Sequence, residues 1–272
     1  MKSVKIFEDT AVEDNSIYVN AEKCKMINSQ INFFGKNNIL YVEDGATVKN
    51  TIINFNKNNS VVYLSGNRNH YLLDCSVNNG NTVYIGRDCY FSGTMHIIAS
   101  EGKNIIIGDH GLFSFGIWIR TADAHLIYDV NTKKRINYSQ SVLIGDHVWL
   151  GQQSLILKGS QIGSGSVLGG GAVVSCGRIL SNSVYGGNPA RCIREGIFFS
   201  GECVHGWTEN DTKKYAQMQT DKWIYQADDG CQSFQDLDAQ LQTQDSAEQR
   251  LAMIREVLAE NKTKNRFFIG ND

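Results

Sequence analysis

From Ile144 an aliphatic side chain returns at every sixth residue, at Leu150, Ile156, Ile162, Leu168, Val174 and Leu180. Six is neither the 3.6-residue turn of a helix nor the two-residue alternation of an ordinary strand. Glycine follows the aliphatic residue at Gly145, Gly151, Gly163 and Gly169, and the position four residues after it is small at Val148, Ser154, Ser160, Ser166, Ala172 and Val184, with Arg178 the exception. This register fits a chain that coils as a triangular prism. Each hexad supplies one short strand and one corner, and the aliphatic and small residues point inward to fill a narrow interior. The hexads therefore predict a parallel β-helix.

A looser repeat precedes them. Val42, Leu64, Ile85 and Ile107 align when the surrounding segments are stacked, at spacings of 22, 21 and 22 residues. A coil of three hexads needs eighteen, so the early coils carry extra residues, and the asparagines there (Asn37, Asn38, Asn58, Asn59, Asn78, Asn79, Asn81) suit left-handed corners. The interval from Ile107 to Ile144 exceeds an eighteen-residue coil by nineteen residues. Because Phe113 and Ile119 keep the six-step register, the excess falls at about 122–140, a polar loop on a rigid scaffold. The sole proline, Pro189, breaks the hexads. The chain is read as a β-helix domain over 1–195 and a helical appendage over 196–272, in which Ser246 and Gln249 form a capping box ahead of Leu251, Ile254, Val257 and Leu258, and Ser233 starts a helix bearing Phe234, Leu237 and Leu241. These apolar stripes are expected to pack on the prism or a neighbouring subunit, capping its open end or strengthening the assembly.

Composition narrows the function classes. Twenty-six glycines against one proline suit a repetitive β architecture. A formal charge of -2 offers no global field for nucleic acid or an anionic membrane. Seven cysteines without a Cys-x-x-Cys pair argue against a disulfide framework and a structural zinc site, and point to a reducing cytoplasm. The start of the chain has no signal-peptide apolar core, and no apolar run is long enough to span a membrane.

His125 lies in the looped-out segment, where an imidazole can be solvent-accessible and accept a proton from a hydroxyl. A lone histidine in a polar loop is equally a surface residue, and His110 and His147, both within hexads, are read as structural or solvated. Gly169–Gly171 is a corner rather than a phosphate loop, since no Lys-Ser/Thr follows it. No Ser-His-Asp constellation is evident, and Cys176 lacks a base partner.

Four motifs, Arg120–Asp129 (RTADAHLIYD), Arg135–Asn137 (RIN), Ile144–Gly151 (IGDHVWLG) and Gly187–Glu195 (GNPARCIRE), together resemble the left-handed β-helix acetyltransferases, over about residues 37–195. The likeness is to the branch that O-acetylates sialic-acid capsules. It implies a left-handed helix and transfer of acetyl from acetyl-CoA to a sugar hydroxyl of a surface polysaccharide, with no metal. His125 then corresponds to the general base and Trp149 to the tryptophan beside the reactive end of the cofactor. Gln152, Gly170, Ser175 and Cys176 match positions along the pantetheine arm, and Arg191 and Arg194 match positions near the phosphates. Cys176 stands where lysine is frequent. Arg120, Lys133, Lys134 and Arg135 surround the loop with positive charge that would draw a polyanionic acceptor. The resemblance also implies a homotrimer with cofactor grooves between prisms. Acetylation of a small sugar or nucleotide sugar, and a non-catalytic structural trimer, stay open. A zinc hydratase on the same fold would need three gathered histidines, which the spacings of His110, His125 and His147 do not suggest.

Overall fold

The computed structural model describes residues 2–8, 10 and 12–271, and the hexads in it wind a left-handed parallel β-helix of about seven turns with three faces. The first face stacks Gln30–Phe33, Ile52–Phe55, Leu73–Val77, Met95–Ala99, Trp118–Arg120, Leu155–Ile156 and Val173–Val174. The second runs from Ser16–Tyr18 through Ile39–Val42, Val61–Leu64, Thr82–Ile85, Asn104–Ile107, Val142–Ile144 and Ser160–Ile162 to Gly177–Ile179. The third carries Tyr90–Phe91, Leu112–Phe113, Trp149–Leu150, Val167–Leu168 and Ser183–Gly186, with Lys25–Ile27, Thr47–Lys49 and His70–Tyr71 beneath them. Coils therefore begin near Ser16, earlier than the repeat near Val42 suggests. Successive coils pair in parallel, but Lys2–Val4 joins the first face antiparallel and Arg191–Glu195 joins the third face antiparallel.

The inward residues obey the predicted register. Val42, Leu64, Ile85, Ile107, Ile144 and Ile162 sit directly above one another. The wider early coils hold rings inside, with Phe33 stacked on Phe55 at 4.7 Å and Tyr71, Phe91 and Phe113 in a column. The tighter later coils hold aliphatics and buried serines. A serine is small enough for the interior, and its hydroxyl closes the corner: Ser160 and Ser166 each donate to the carbonyl three residues back, at Leu157 and Gly163 (both 2.6 Å).

At the last coil the six-step register fails. Ile179, not Leu180, pairs with Ile162, and Gly177 pairs with Ser160. One residue is missing from the corner after Val174, where Cys176 and Gly177 both take positive φ. This explains why Arg178 breaks the small-residue pattern: Gly177 and Ser183 hold the inward places, while Arg178 faces solvent and Val184 is only half-buried. The early asparagines divide their roles. Asn37 and Asn59 adopt left-handed conformations, whereas Asn38 and Asn81 are fully buried and donate to corner carbonyls of the next coil, at Lys57 and Lys103.

The excess residues after Ile107 leave the prism between Arg120 and Val142. Register is unbroken across them, because Ile105–Ile107 pair with Val142–Ile144 and Ile119 with Ile156. The loop is extruded at the corner between the first and second faces.

The C-terminal segment forms helices α1 (Glu209–Lys214), α2 (Phe234–Gln242) and α3 (Ala247–Ile254), with one π turn at Arg255–Ala259. Ser233 caps α2, and Ser246 with Gln249 builds the expected capping box on α3. Phe234, Leu237, Leu241, Leu251 and Ile254 pack on Ile39, Val61, Tyr63, Tyr84, Ile106 and Leu143. Helices α2 and α3 thus lie along the second face rather than over an open end. Arg266, 1 % exposed, pins them: its guanidinium donates to both carboxylate oxygens of Asp146 (2.9 and 2.8 Å), lies 3.2 Å from Asp109, and donates to the Leu258 and Asn261 carbonyls. Beside this pair, His147 is sandwiched between Phe199 (4.0 Å) and Trp223 (3.8 Å). The ring is buried, not solvated, and burial pushes its pKa down to about 4.

Removing Arg266 strands two buried carboxylates, so Arg266→Ala should cost about 3–5 kcal/mol in chemical denaturation. The pKa of His147 lies below the ordinary 6.5, so its contribution is complete above that pH and is lost as pH falls toward 4. Acidification through this window should weaken the seating of the tail by on the order of 3 kcal/mol, read as faster proteolysis after residue 196, and His147→Phe should flatten the dependence.

Candidate active site

The loop carrying His125 is built from polar bonds, since it has almost no buried apolar surface. Asn137, 6 % exposed, is its central tie. Its amide nitrogen donates to the His125 carbonyl (2.7 Å) and the Asp123 carboxylate (3.1 Å), and its amide oxygen accepts from the Ile127 N–H (2.9 Å). Asp123 is in turn ion-paired to Lys158 of the next coil, which holds its carboxyl below the usual range. Farther along, Arg135 forks onto both oxygens of Glu101 (2.7 and 2.8 Å), and Ser139 donates to the same carboxylate. The Arg135 bonds, then Ser139, hold the Glu101 carboxyl at about 2. The backbone around His125 is fixed from both sides while its side chain stays exposed.

The residues expected around the loop fall into different states. Arg135 is already neutralised by Glu101. Lys133 and Lys134 are exposed at the loop tip, Lys133 with φ of 56°. Arg120 sits at the loop base, and its Nε, shut off from solvent, meets no acceptor among the described residues.

The other expected residues lie elsewhere. Trp149, 38 % exposed, stands on the third face between Leu112 and Val167, with Phe199 of the tail 5.9 Å away. Gln152 and Gly170 occupy successive corners between the third and first faces; a Cβ on Gly170 would lie 3.3 Å from the Gln152 side chain, so glycine lets the two corners lie close. Ser175 and Cys176 form the short corner below the last coil, with the Cys176 thiol 3.8 Å from the Gln140 amide oxygen. They share a cleft of about 220 Å³ with Tyr185, Pro189 and Arg191. Arg194 lies outside it, opposite Val184 on the final antiparallel strand.

His125 therefore projects from the corner between the first and second faces, whereas Trp149 lies on the third face, across the prism. No hydrogen bond or ring contact among the described residues joins the two. A single chain does not assemble the full set. His110 and His147 are no companions for His125, since both meet Trp223 at the corner between the second and third faces.

Residues 141–176 match the bacterial transferase hexapeptide family (six repeats). The chain is 35% identical to the polysialic acid O-acetyltransferase of Neisseria meningitidis over 183 residues, 67% of this chain and 85% of that protein. Its structure is similar to the polySia-specific acetyltransferase NeuO, with a TM-score of 0.61 at 27% identity over 75% of this chain and 94% of that one. It shares its fold with the polysialic acid O-acetyltransferase OatWY, with a TM-score of 0.59 at 24% identity over 75% and 95%. Likeness over so much of a relative's length, on the same coil and with the same repeats, fixes the family: this chain is a hexapeptide-repeat O-acetyltransferase and belongs with the polysialic acid O-acetyltransferases.

Proposed function

We propose that this enzyme transfers acetyl from acetyl-CoA to hydroxyls of polysialic acid, in sites shared between neighbours of a homotrimer. The acceptor reading rests on the 35% identity to the meningococcal enzyme over most of that protein's length. The shared site is supported by one observation, the separation of the His125 loop from Trp149, Gln152 and Gly170 on opposite sides of one prism. In a three-fold ring the loop corner of each subunit meets the third face of the next, which brings the two halves together.

In this reading His125 takes the proton from the acceptor hydroxyl as its oxygen attacks the thioester carbonyl. The carbon–sulfur bond then breaks, and the imidazolium returns the proton to the departing thiolate. Trp149 flanks the thioester. Gln152, Gly170, Ser175 and Cys176 line the pantetheine, and Arg191 and Arg194 meet the phosphates through paired guanidinium donors. Lys133 and Lys134, exposed on the loop, attract the polyanion. Residues 1–195 carry this chemistry, and 196–272 brace the second face. All seven cysteines are free, which supports work in a reducing cytoplasm, and no helix among the described residues is long and apolar enough to cross a membrane.

Thiol release from acetyl-CoA should depend on polysialic acid rather than on monomeric sialic acid, and His125→Ala should lower kcat by about 10²–10⁴. Release with no sugar acceptor at all would overturn the reading. Mixing inactive His125→Ala and Trp149→Ala subunits should restore about a quarter of wild-type activity, because one interface in four then joins an intact loop to an intact face. Zero recovery in mixed trimers would place the site within one chain. Asn137→Ala should reduce kcat by about 10² while the KM for acetyl-CoA holds, since a base displaced by an ångström loses its line of attack.

A further inference from the structure

The first face carries an uncommitted patch next to the loop. Its outward row runs Ile52, Asp74, His96, Trp118 and Leu155, one residue per coil. Trp118 is 41% exposed and is stacked on the His96 ring at 4.2 Å and 11°. His96 is held in turn by its Nδ1 against the Asp74 carboxylate at 3.2 Å. The indole is thus braced on one side by a ring that is itself fixed, Leu155 of the next coil stands on the other, and its outer edge is exposed. The tail does not reach it, because the helices cover the second face.

Arg120 lies two residues along the same strand, so it emerges on the same side as Trp118, about 7 Å away at the Cα atoms. Its side chain makes no hydrogen bond among the described residues, its Nε is buried without an acceptor, and its charge reaches only the Asp123 carboxylate, which is itself ion-paired to Lys158. Turning this guanidinium outward would break no bond within the chain. Of the four cations around the loop, Arg135 is consumed by Glu101, while Arg120 stands where the strand enters the loop that bears His125.

We propose that Trp118 and Arg120 form a subsite for one carboxylated sugar unit of the acceptor, resting on the polysialic acid reading above. The exposed edge of the indole packs against the apolar side of the sugar ring, and the guanidinium pairs with the ring carboxylate. His96 and Asp74 are positioning residues that hold the indole flat. An aromatic edge beside a guanidinium that has no hydrogen-bonded partner recognises an acidic sugar better than a neutral one, because each group satisfies a different part of it. The polymer would then run along the first face, with the unit next to the bound one presented to His125.

The test compares wild type with Trp118→Ala, Trp118→Phe and Arg120→Gln, using a sialic acid oligomer and its carboxyl-reduced counterpart as acceptors. Trp118→Ala should raise the KM for both oligomers about five- to tenfold, and Trp118→Phe should recover most of it. Arg120→Gln should raise the KM for the carboxylated oligomer only. Saturation-transfer NMR should show oligomer protons receiving magnetisation from wild type and losing it in Trp118→Ala. The KM for acetyl-CoA and the mass in solution should not change. Wild-type transfer with unchanged acceptor KM in Trp118→Ala and Arg120→Gln overturns the subsite and leaves the enzyme's acceptor intact. A changed mass for Trp118→Ala makes the indole a subunit contact and also overturns the subsite. Absence of both transfer and NMR contact with any sialic acid oligomer from wild type overturns the acceptor reading and the subsite together.

Discussion

The interior of the prism admits one inward side chain from each strand position, and the coils above and below fix which one. Parallel backbone bonding locks neighbouring coils in register, so a residue too many or too few cannot be absorbed inside. It must be resolved at a corner. The extra residues of the early coils, the loop from 121 to 141 and the shortened corner at Cys176 are three outcomes of this constraint. The loop is the functional outcome: because Ile107 and Ile144 still stack, a long polar segment leaves the core at one edge without disturbing either neighbour.

Polar chemistry then does for the loop what apolar burial does for the coils, and in the tail it is added to apolar packing. Asn137 ties the loop to itself, while Glu101 and Lys158, on two different coils, each tie one point of it to the rigid stack. Charge is used up in this work, since Arg135 meets Glu101 and Asp123 meets Lys158. The tail is fastened by the same means at another edge, where Arg266 answers the carboxylates of two coils at once. These carboxylates belong to the IGD segments at Asp109 and Asp146, so the segment that presents Trp149 is braced from behind by the last residues of the chain.

The repeat was legible because six is a rare period and because the inward residues are few and apolar. The loop position was legible for the same reason: Phe113 and Ile119 keep time on one side of it and Ile144 on the other. The failure at Leu180 has a physical cause. Leu180 and Ile179 are both aliphatic, and only the backbone deletion between Val174 and Ile179 decides which one faces inward. The early coils near Ser16 were hidden because extra residues blur the period. His125 and Trp149 were found through motif resemblance, but the separation between them across the prism depends on which corner each occupies. Asn137 lay within a quoted motif, yet its role depends on bonds to residues 10 to 14 positions away that no local pattern encodes. His147 is structural, one of the two readings its hexad position left open, and the choice between them depends on rings that come from 52 and 76 positions later in the chain.

The antiparallel strands at the two ends alter what the molecule offers to copies of itself. A solenoid of parallel strands exposes on its last coil the same backbone pattern that every internal coil satisfies, and such an end can be extended by another chain. Here Lys2–Val4 reverses the first face at one end and Arg191–Glu195 reverses the third face at the other. A second molecule arriving end-on would find one of three faces running the wrong way, so no continuous prism can be spliced across the junction. The two ends of the prism are therefore protected against filament growth by end-on stacking of copies.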